Sequence, residues 1–187
     1  MKKSILLLVS LVCITTAFSQ NYTKPNGFAI HFILNDFPTA KEIRNNGIGE
    51  TINQKMWYKT RRMNAGIGVS YIKGLSEHVD FAGTLAGSFL KYPIPDRVSN
   101  SADQKLLLEG FVTLNLKLLR DNFFAVPYFT AGIGASQYDG FYSAILPIGV
   151  GLQFKLGPDV FFLLNSQYRI PVTSSAEYHL YHSFGMP

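Results

Sequence analysis

The groups able to do chemistry in this sequence of 187 residues are few: four His, one Cys, and charged residues that make up 16% of the chain. His182 beside Ser183, with Glu177 close in sequence, is the raw material of acyl transfer, which needs a nucleophile, a base and an acidic orienter. Neighbours on a strand point to opposite faces, so the two cannot pair if the segment is extended. A lipid-deacylase reading therefore finds no support. His179 and His182 are three apart and fall on opposite faces as well, which is poor geometry for a shared metal. Gly66-Ile67-Gly68 and Gly149-Val150-Gly151 resemble fragments of phosphate loops, but both lie inside alternating segments and read as small positions of strands. No basic stripe interleaved with aromatics points to nucleic acid. The expectation is a protein without catalytic residues, cofactor or metal.

What remains is a sparse set of charges on alternating segments. His31, Asp80, Glu109, Lys117, Lys155 and Arg169 each fall on the polar side of a segment that alternates with period two. Two roles are open to such a set: the lining of a channel, or an ion-pair network that plugs a narrow interior. The second is favoured, because an eight-stranded barrel is just wide enough for side chains to fill.

The alternating segments number eight. Their bulky sides are Phe28, Ile30, Phe32 and Leu34; Met63 to Tyr71; Val79, Phe81, Leu85 and Phe89; Leu106 to Leu118; Phe129 to Ala135; Leu146 to Leu156; Val160 to Ile170; and Tyr178, Leu180, His182 and Phe184. The opposite sides carry Gly, Ala, Ser, Thr and Asn with isolated charges. A soluble ligand-carrying barrel would place Lys, Glu, Asp and Arg there. Small inward and bulky outward residues instead fit a barrel whose outer surface meets lipid. The expected fold is all-β, an eight-stranded antiparallel up-and-down transmembrane β-barrel.

Composition narrows the field in the same direction. With 47% apolar and 14% aromatic residues the chain is not disordered, one Cys excludes a disulfide scaffold, and no apolar run reaches the roughly 20 residues of a spanning helix. The N-terminus reads as an export signal: Lys2 and Lys3, then the apolar run Ile5 to Ile14, then Ala17-Phe18-Ser19 with cleavage before Gln20. Residues 1–19 are thus expected to be a signal peptide, residues 20–187 the barrel, and the destination the bacterial outer membrane.

The first six links between segments read as alternately long and short. Lys73–His78, Leu119–Asn122 and Gly157–Asp159 are the short ones, rich in turn residues. The others, including Gln137–Ala144, read as outer loops, as in outer-membrane barrels. Aromatic girdles are expected at Trp57, Tyr58, Phe89, Tyr92, Tyr138, Phe141 and Tyr142 on the outer rim, and at Tyr71, Phe81, Phe123, Phe154 and Phe162 on the inner one. The segment Asn35–Arg61 reads as a long, basic outer loop. Lys59, Arg61 and Arg62 stand where lipopolysaccharide phosphates would attract cations.

The hairpin order, the strand Pro127-Tyr128-Phe129-Thr130-Ala131-Gly132-Ile133-Gly134 and the segment Tyr178-His179-Leu180-Tyr181-His182-Ser183-Phe184-Gly185 resemble the N-terminal barrels of OmpA-family proteins of Bacteroidetes-type bacteria. The resemblance implies a structural membrane anchor, often followed by a peptidoglycan-binding domain. The eighth segment is short for a spanning strand, which needs about 9–11 residues. An incomplete last strand and a chain continuing past Pro187 towards peptidoglycan are therefore expected. The implied partners are outer-membrane lipids, lipopolysaccharide and the outer-membrane assembly machinery, not nucleic acid. The alternatives are a narrow pore or transporter, and a surface adhesin or binding barrel that uses its long outer loops.

Overall fold

The computed structural model describes residues 24–54, 62–91, 104–157, 160–173 and 176–186. The signal segment 1–19 lies outside them, as do Trp57, Tyr58, Lys59, Arg61 and Tyr92. Eight strands follow in order: β1 (Gly27–Asp36), β2 (Asn64–Ser76), β3 (Val79–Leu90), β4 (Lys105–Lys117), β5 (Ala125–Tyr138), β6 (Phe141–Lys155), β7 (Phe161–Pro171) and β8 (His179–Met186). Each pairs antiparallel with its sequence neighbours, and β8 returns to β1, so the sheet closes. Closure leaves no strand edge for lipid to meet.

The period-two pattern decides what faces where. Phe28, Ile30, Ile67, Leu85, Ile133 and Val150 stand outward and exposed, while Ala29, His31, Thr84, Phe111 and Gln153 are buried in the bore. Phe28 and Ile30 are each 72% exposed. In water such a continuous apolar belt would drive association; against acyl chains it is the matching surface.

Close inward packing needs glycine at particular points. Tyr128 lies directly across from Gly151 and donates its hydroxyl to the Leu164 carbonyl, 3.2 Å away. A Cβ at Gly151 would collide with the Tyr128 ring. Pro147 interrupts the β5–β6 ladder between the pairs Ala131–Ile148 and Gly134–Ile145, since proline has no N–H to give.

Three features depart from the sequence reading. The supposed loop Asn35–Arg61 begins with a helix, α1 (Phe37–Asn53), that lies at the outer mouth. Asp36 caps it by accepting from Thr39 N at 2.9 Å and Thr39 Oγ1 at 2.6 Å, and Pro38 occupies its first turn, where a missing N–H costs nothing. The helix kinks at Gly47, where φ is 81° and ψ 162°. Second, the link Gln137–Ala144 is no loop. β5 and β6 run on to a two-residue turn, Asp139-Gly140, with φ of 51° and 81°. Positive φ at both central residues marks the hairpin turn whose twist matches its strands. The alternation of long outer and short inner links fails there, and the inner link 118–124 is longer than this outer one. Third, Tyr138 is not a girdle residue. Its hydroxyl donates to the Leu90 carbonyl at 3.0 Å, and its ring packs on Phe37, Leu90 and Leu107 at the top of the bore. Phe89 and Tyr142 do stand exposed on the outer rim.

Candidate functional site

The bore is the site that the sequence singled out, and it is closed by two clusters of charge. The inner end holds Lys24, Asp80, Lys117, Asp121 and Gln153. β3 and β4 run side by side here, so Asp80, the second residue of β3, and Lys117, the last of β4, come together. Lys117 Nζ reaches Asp80 Oδ1 at 2.9 Å and Asp121 Oδ2 at 2.6 Å. Gln153 donates to Asp121 Oδ1 at 2.7 Å and accepts from Lys24 Nζ at 2.8 Å. Lys24 also approaches Asp80 at 4.0 Å and lies over the Phe161 ring. Every member is buried. Burial pulls the Lys24 ammonium below the ordinary lysine range, against the opposing pull of Asp80 and Asp121.

The outer end is built differently. Glu109 from β4, Arg169 from β7 and His179 from β8 are almost completely buried. His179 Nε2 stands 3.5 Å from Glu109 Oε1, and the His179 ring stacks on Phe37 of α1. Arg169 is held by rings: its guanidinium carbon lies 3.9 Å from the Phe111 centroid and 4.2 Å from that of Tyr181. None of its three nitrogens has a hydrogen-bond acceptor among the described residues. A cation over desolvated ring faces is attracted by their quadrupoles, at roughly 2 kcal/mol per good contact.

Between the clusters the bore keeps a cavity of about 30 Å³, lined among others by His31, Thr84, Asn115, Asn165 and Gln167. That is room for only two or three water molecules, each needing about 10–15 Å³ by this measure. Ser70 and Thr84, partners on adjacent strands of its wall, bond to each other at 2.7 Å.

Of the six interior charges marked in the sequence, Asp80 and Lys117 meet at the inner end, and Glu109 and Arg169 share the outer end. His31 lies alone by the cavity, with neither ring nitrogen bonded among the described residues. Lys155 is a correction: it is the last residue of β6, at the inner lip, where it is partly exposed and makes no ion pair with a described residue. The sequence reading missed Lys24, Asp121, Gln153 and His179. Lys24 and Asp121 precede or follow strands, where no alternation reveals a facing. Arg62 is exposed at the outer rim, and Lys59 and Arg61 lie outside the described residues.

The pair considered for acyl transfer separates as strand geometry requires. Ser183 faces the bore, and His182 faces outward. The residue opposite His182 on β7 is Ser166, also outward. Among the described residues no three His, Cys, Asp or Glu side chains gather as a metal site.

No family model matches the chain, and no curated protein is similar to it. Solved structures are. Ail, the attachment invasion locus protein of Yersinia pestis, superposes with a TM-score of 0.52 at 14% identity, over 86% of this chain and 95% of that one. The same protein in complex with the heparin analogue sucrose octasulfate gives 0.50 at 15% identity, over 86% and 95%. Neisserial surface protein A, NspA, gives 0.52 at 12% identity, over 87% and 97%. At such identities the likeness concerns the fold: this chain is a closed eight-stranded up-and-down barrel of the architecture found in the outer-membrane barrels Ail and NspA.

Proposed function

We propose that this chain is a structural outer-membrane barrel, a membrane anchor without catalysis and without a conducting pore. The observation that carries it is the pairing of an apolar outward belt with a bore closed at two levels by buried charges. Its surroundings are outer-membrane lipids and lipopolysaccharide, reached through an N-terminal export signal cleaved near Ser19 and through the outer-membrane assembly machinery. The membrane assignment is tested by folding the purified protein into detergent or vesicles. A β-rich spectrum and a gel mobility that changes on boiling are expected. A folded monomer that stays soluble without detergent contradicts it. Ile67→Arg or Leu114→Arg, both on the outward face, should cost about 2–4 kcal/mol of insertion near the midplane.

The finer form of this reading is the anchor of an OmpA-like envelope protein that ties the membrane to peptidoglycan. The natural reading frame beyond Pro187 decides it: a wall-binding domain supports the tether, and a frame that encodes none removes the tether and leaves the barrel.

A second reading is favoured by the outer face. Lys41, Arg44 and Arg62 are exposed there, on and beyond α1, and Lys59 and Arg61 belong to the same link. These cations suit the phosphates of lipopolysaccharide or another polyanion, and the complex of Ail with a heparin analogue makes heparin a sensible probe. Neutralising Lys59, Arg61 and Arg62 together should weaken heparin and lipopolysaccharide retention by intact cells. Unchanged retention would sink this reading.

A further inference from the structure

One member of the inner cluster comes from outside the hairpins. Asp80, Lys117 and Gln153 stand on strands, and Asp121 lies in the link that joins β4 to β5. Lys24 belongs to the stretch that leads into β1. Pro25 follows it and restricts its backbone to extended forms. This stretch does not prolong β1 along the wall. It turns into the mouth over Gly74, a buried position of β2 directly opposite Asp80. The Gly74 N–H donates to the Lys24 carbonyl at 3.2 Å. A Cβ at Gly74 would stand 2.7 Å from the Lys24 nitrogen and 2.8 Å from its carbonyl oxygen, so glycine is what lets the two backbones approach.

The Lys24 side chain covers the way to the cavity. Its ammonium bonds Gln153, approaches Asp80 and lies 4.2 Å from the centroid of the Phe161 ring. Phe161 packs with Ile72, Ala82 and Leu163, and those three also line the cavity. The lysine stem and the Phe161 ring therefore stand between the cavity and the inner mouth. Charge decides what could take the place of Lys24. With it, two ammonium groups face the two carboxylates Asp80 and Asp121. Without it, one buried negative charge loses its counterpart, which is costly. The groups it would leave are a carboxylate, an amide oxygen and a ring face, and each attracts a small cation.

We infer that the stretch ahead of β1 is an inserted stopper for the inner mouth, with Lys24 as its plug and Gly74 as its seat, and that displacing it uncovers a vestibule for small monovalent cations at Asp80 and Gln153. The vestibule is blind, because the layer around Arg169 still closes the outer end. The inference rests on the closed barrel and not on the anchor role.

The test uses the full chain in a Cys13→Ser background, folded in detergent micelles, with Ser70→Cys as the reporter. Ser70 is buried and lines the cavity, and the chain then holds no other cysteine. The probe is the silver ion, small, monovalent and thiol-seeking, in a chloride-free buffer. After timed exposure the protein is denatured, free thiols are alkylated, and the protected fraction is read by mass spectrometry. Lys24→Ala should speed protection at least about ten-fold, the factor that one hydrogen bond to a charged group can hold shut. Gly74→Ala keeps every charge and unseats the stretch. It should speed protection too, and it replaces Lys24→Ala if that variant loses the boiling-dependent gel shift. Asp80→Asn added to the faster variant should slow silver entry again. Lys155→Ala, at the same lip but outside the cluster, should change nothing. Equal rates in the parent, Lys24→Ala and Gly74→Ala overturn the inference. So does a gain that Lys155→Ala matches, which is general loosening, or one that Asp80→Asn leaves untouched, which is not a cation site.

Discussion

The two ends of the bore solve one problem in different ways. At the inner end Lys117 sits between Asp80 and Asp121, Gln153 bridges Asp121 to Lys24, and each charge has a partner within bonding distance or at 4.0 Å. At the outer end the guanidinium of Arg169 has rings in place of acceptors and acts on Glu109 only through its charge, and the His179 ring stands 3.5 Å from Glu109. The inner plug is polar and tightly bonded. The outer plug is aromatic, and α1 seals it from above through the stack of Phe37 on His179. Buried ion pairs yield little net stability but are costly to break from one side. The inner end should therefore respond sharply to single substitutions, and the outer end weakly.

The largest effect is expected for Lys117→Met. It strands two buried carboxylates and should lower stability by about 3–5 kcal/mol in urea titrations of the vesicle-folded protein. Adding Asp121→Asn, which leaves Asp80 to face Lys24, should recover most of the loss. Without recovery, the inner cluster is not held by charge pairing. Arg169→Met comes next. It gives up two ring contacts of roughly 2 kcal/mol each and the charge that faces buried Glu109, but it also removes a buried cation without acceptors, whose presence costs about 1–3 kcal/mol. The net loss in the same titration should be smaller than for Lys117→Met. An equal or larger loss would erase the contrast between the two ends.

Two smaller effects concern the seal. Asp36→Ala removes both bonds to Thr39 and should destabilise α1 by about 1 kcal/mol. The expected readout is faster protease nicking of 37–53 on intact cells, with the barrel's urea midpoint little changed. Arg44 pairs with Glu177 at 3.0 Å, ties α1 to the approach of β8, and is largely exposed. Glu177→Gln should cost less than about 1 kcal/mol, and salt should shrink the effect further. A loss comparable to that of Asp36→Ala would make the exposed pair a principal fastening of the helix.

The same contrast explains how much was legible in the sequence. Alternation along eight segments was enough to sort inward from outward residues, since a one-residue slip would expose every charge to lipid. It placed Asp80 and Lys117 on inward faces, and register then brings them together. Residues off the strands carry no such signal, so Lys24 and Asp121 stayed hidden although they complete the inner plug. His179 was missed because its role depends on Phe37, which belongs to a helix absent from the sequence reading. That helix had a readable start in Asp36-Phe37-Pro38, a capping residue followed by proline. The Asp139-Gly140 turn was equally readable as a hairpin signal. In both places the expectation of long outer loops outweighed the local chemistry. Ser166 opposite His182 depends on the register of β7 against β8, which no single strand reveals.

A filled bore is the central claim, and single-channel recording in planar bilayers tests it most directly. The wild-type protein should give no unitary steps, and neither should Lys117→Met or Arg169→Met, because the other plug still closes the bore. A variant with Asp80, Lys117 and Arg169 all replaced by Ala should conduct if it still shows the boiling-dependent gel shift. Steady, reproducible conductance steps from the wild-type protein would contradict the claim and make the barrel a narrow pore.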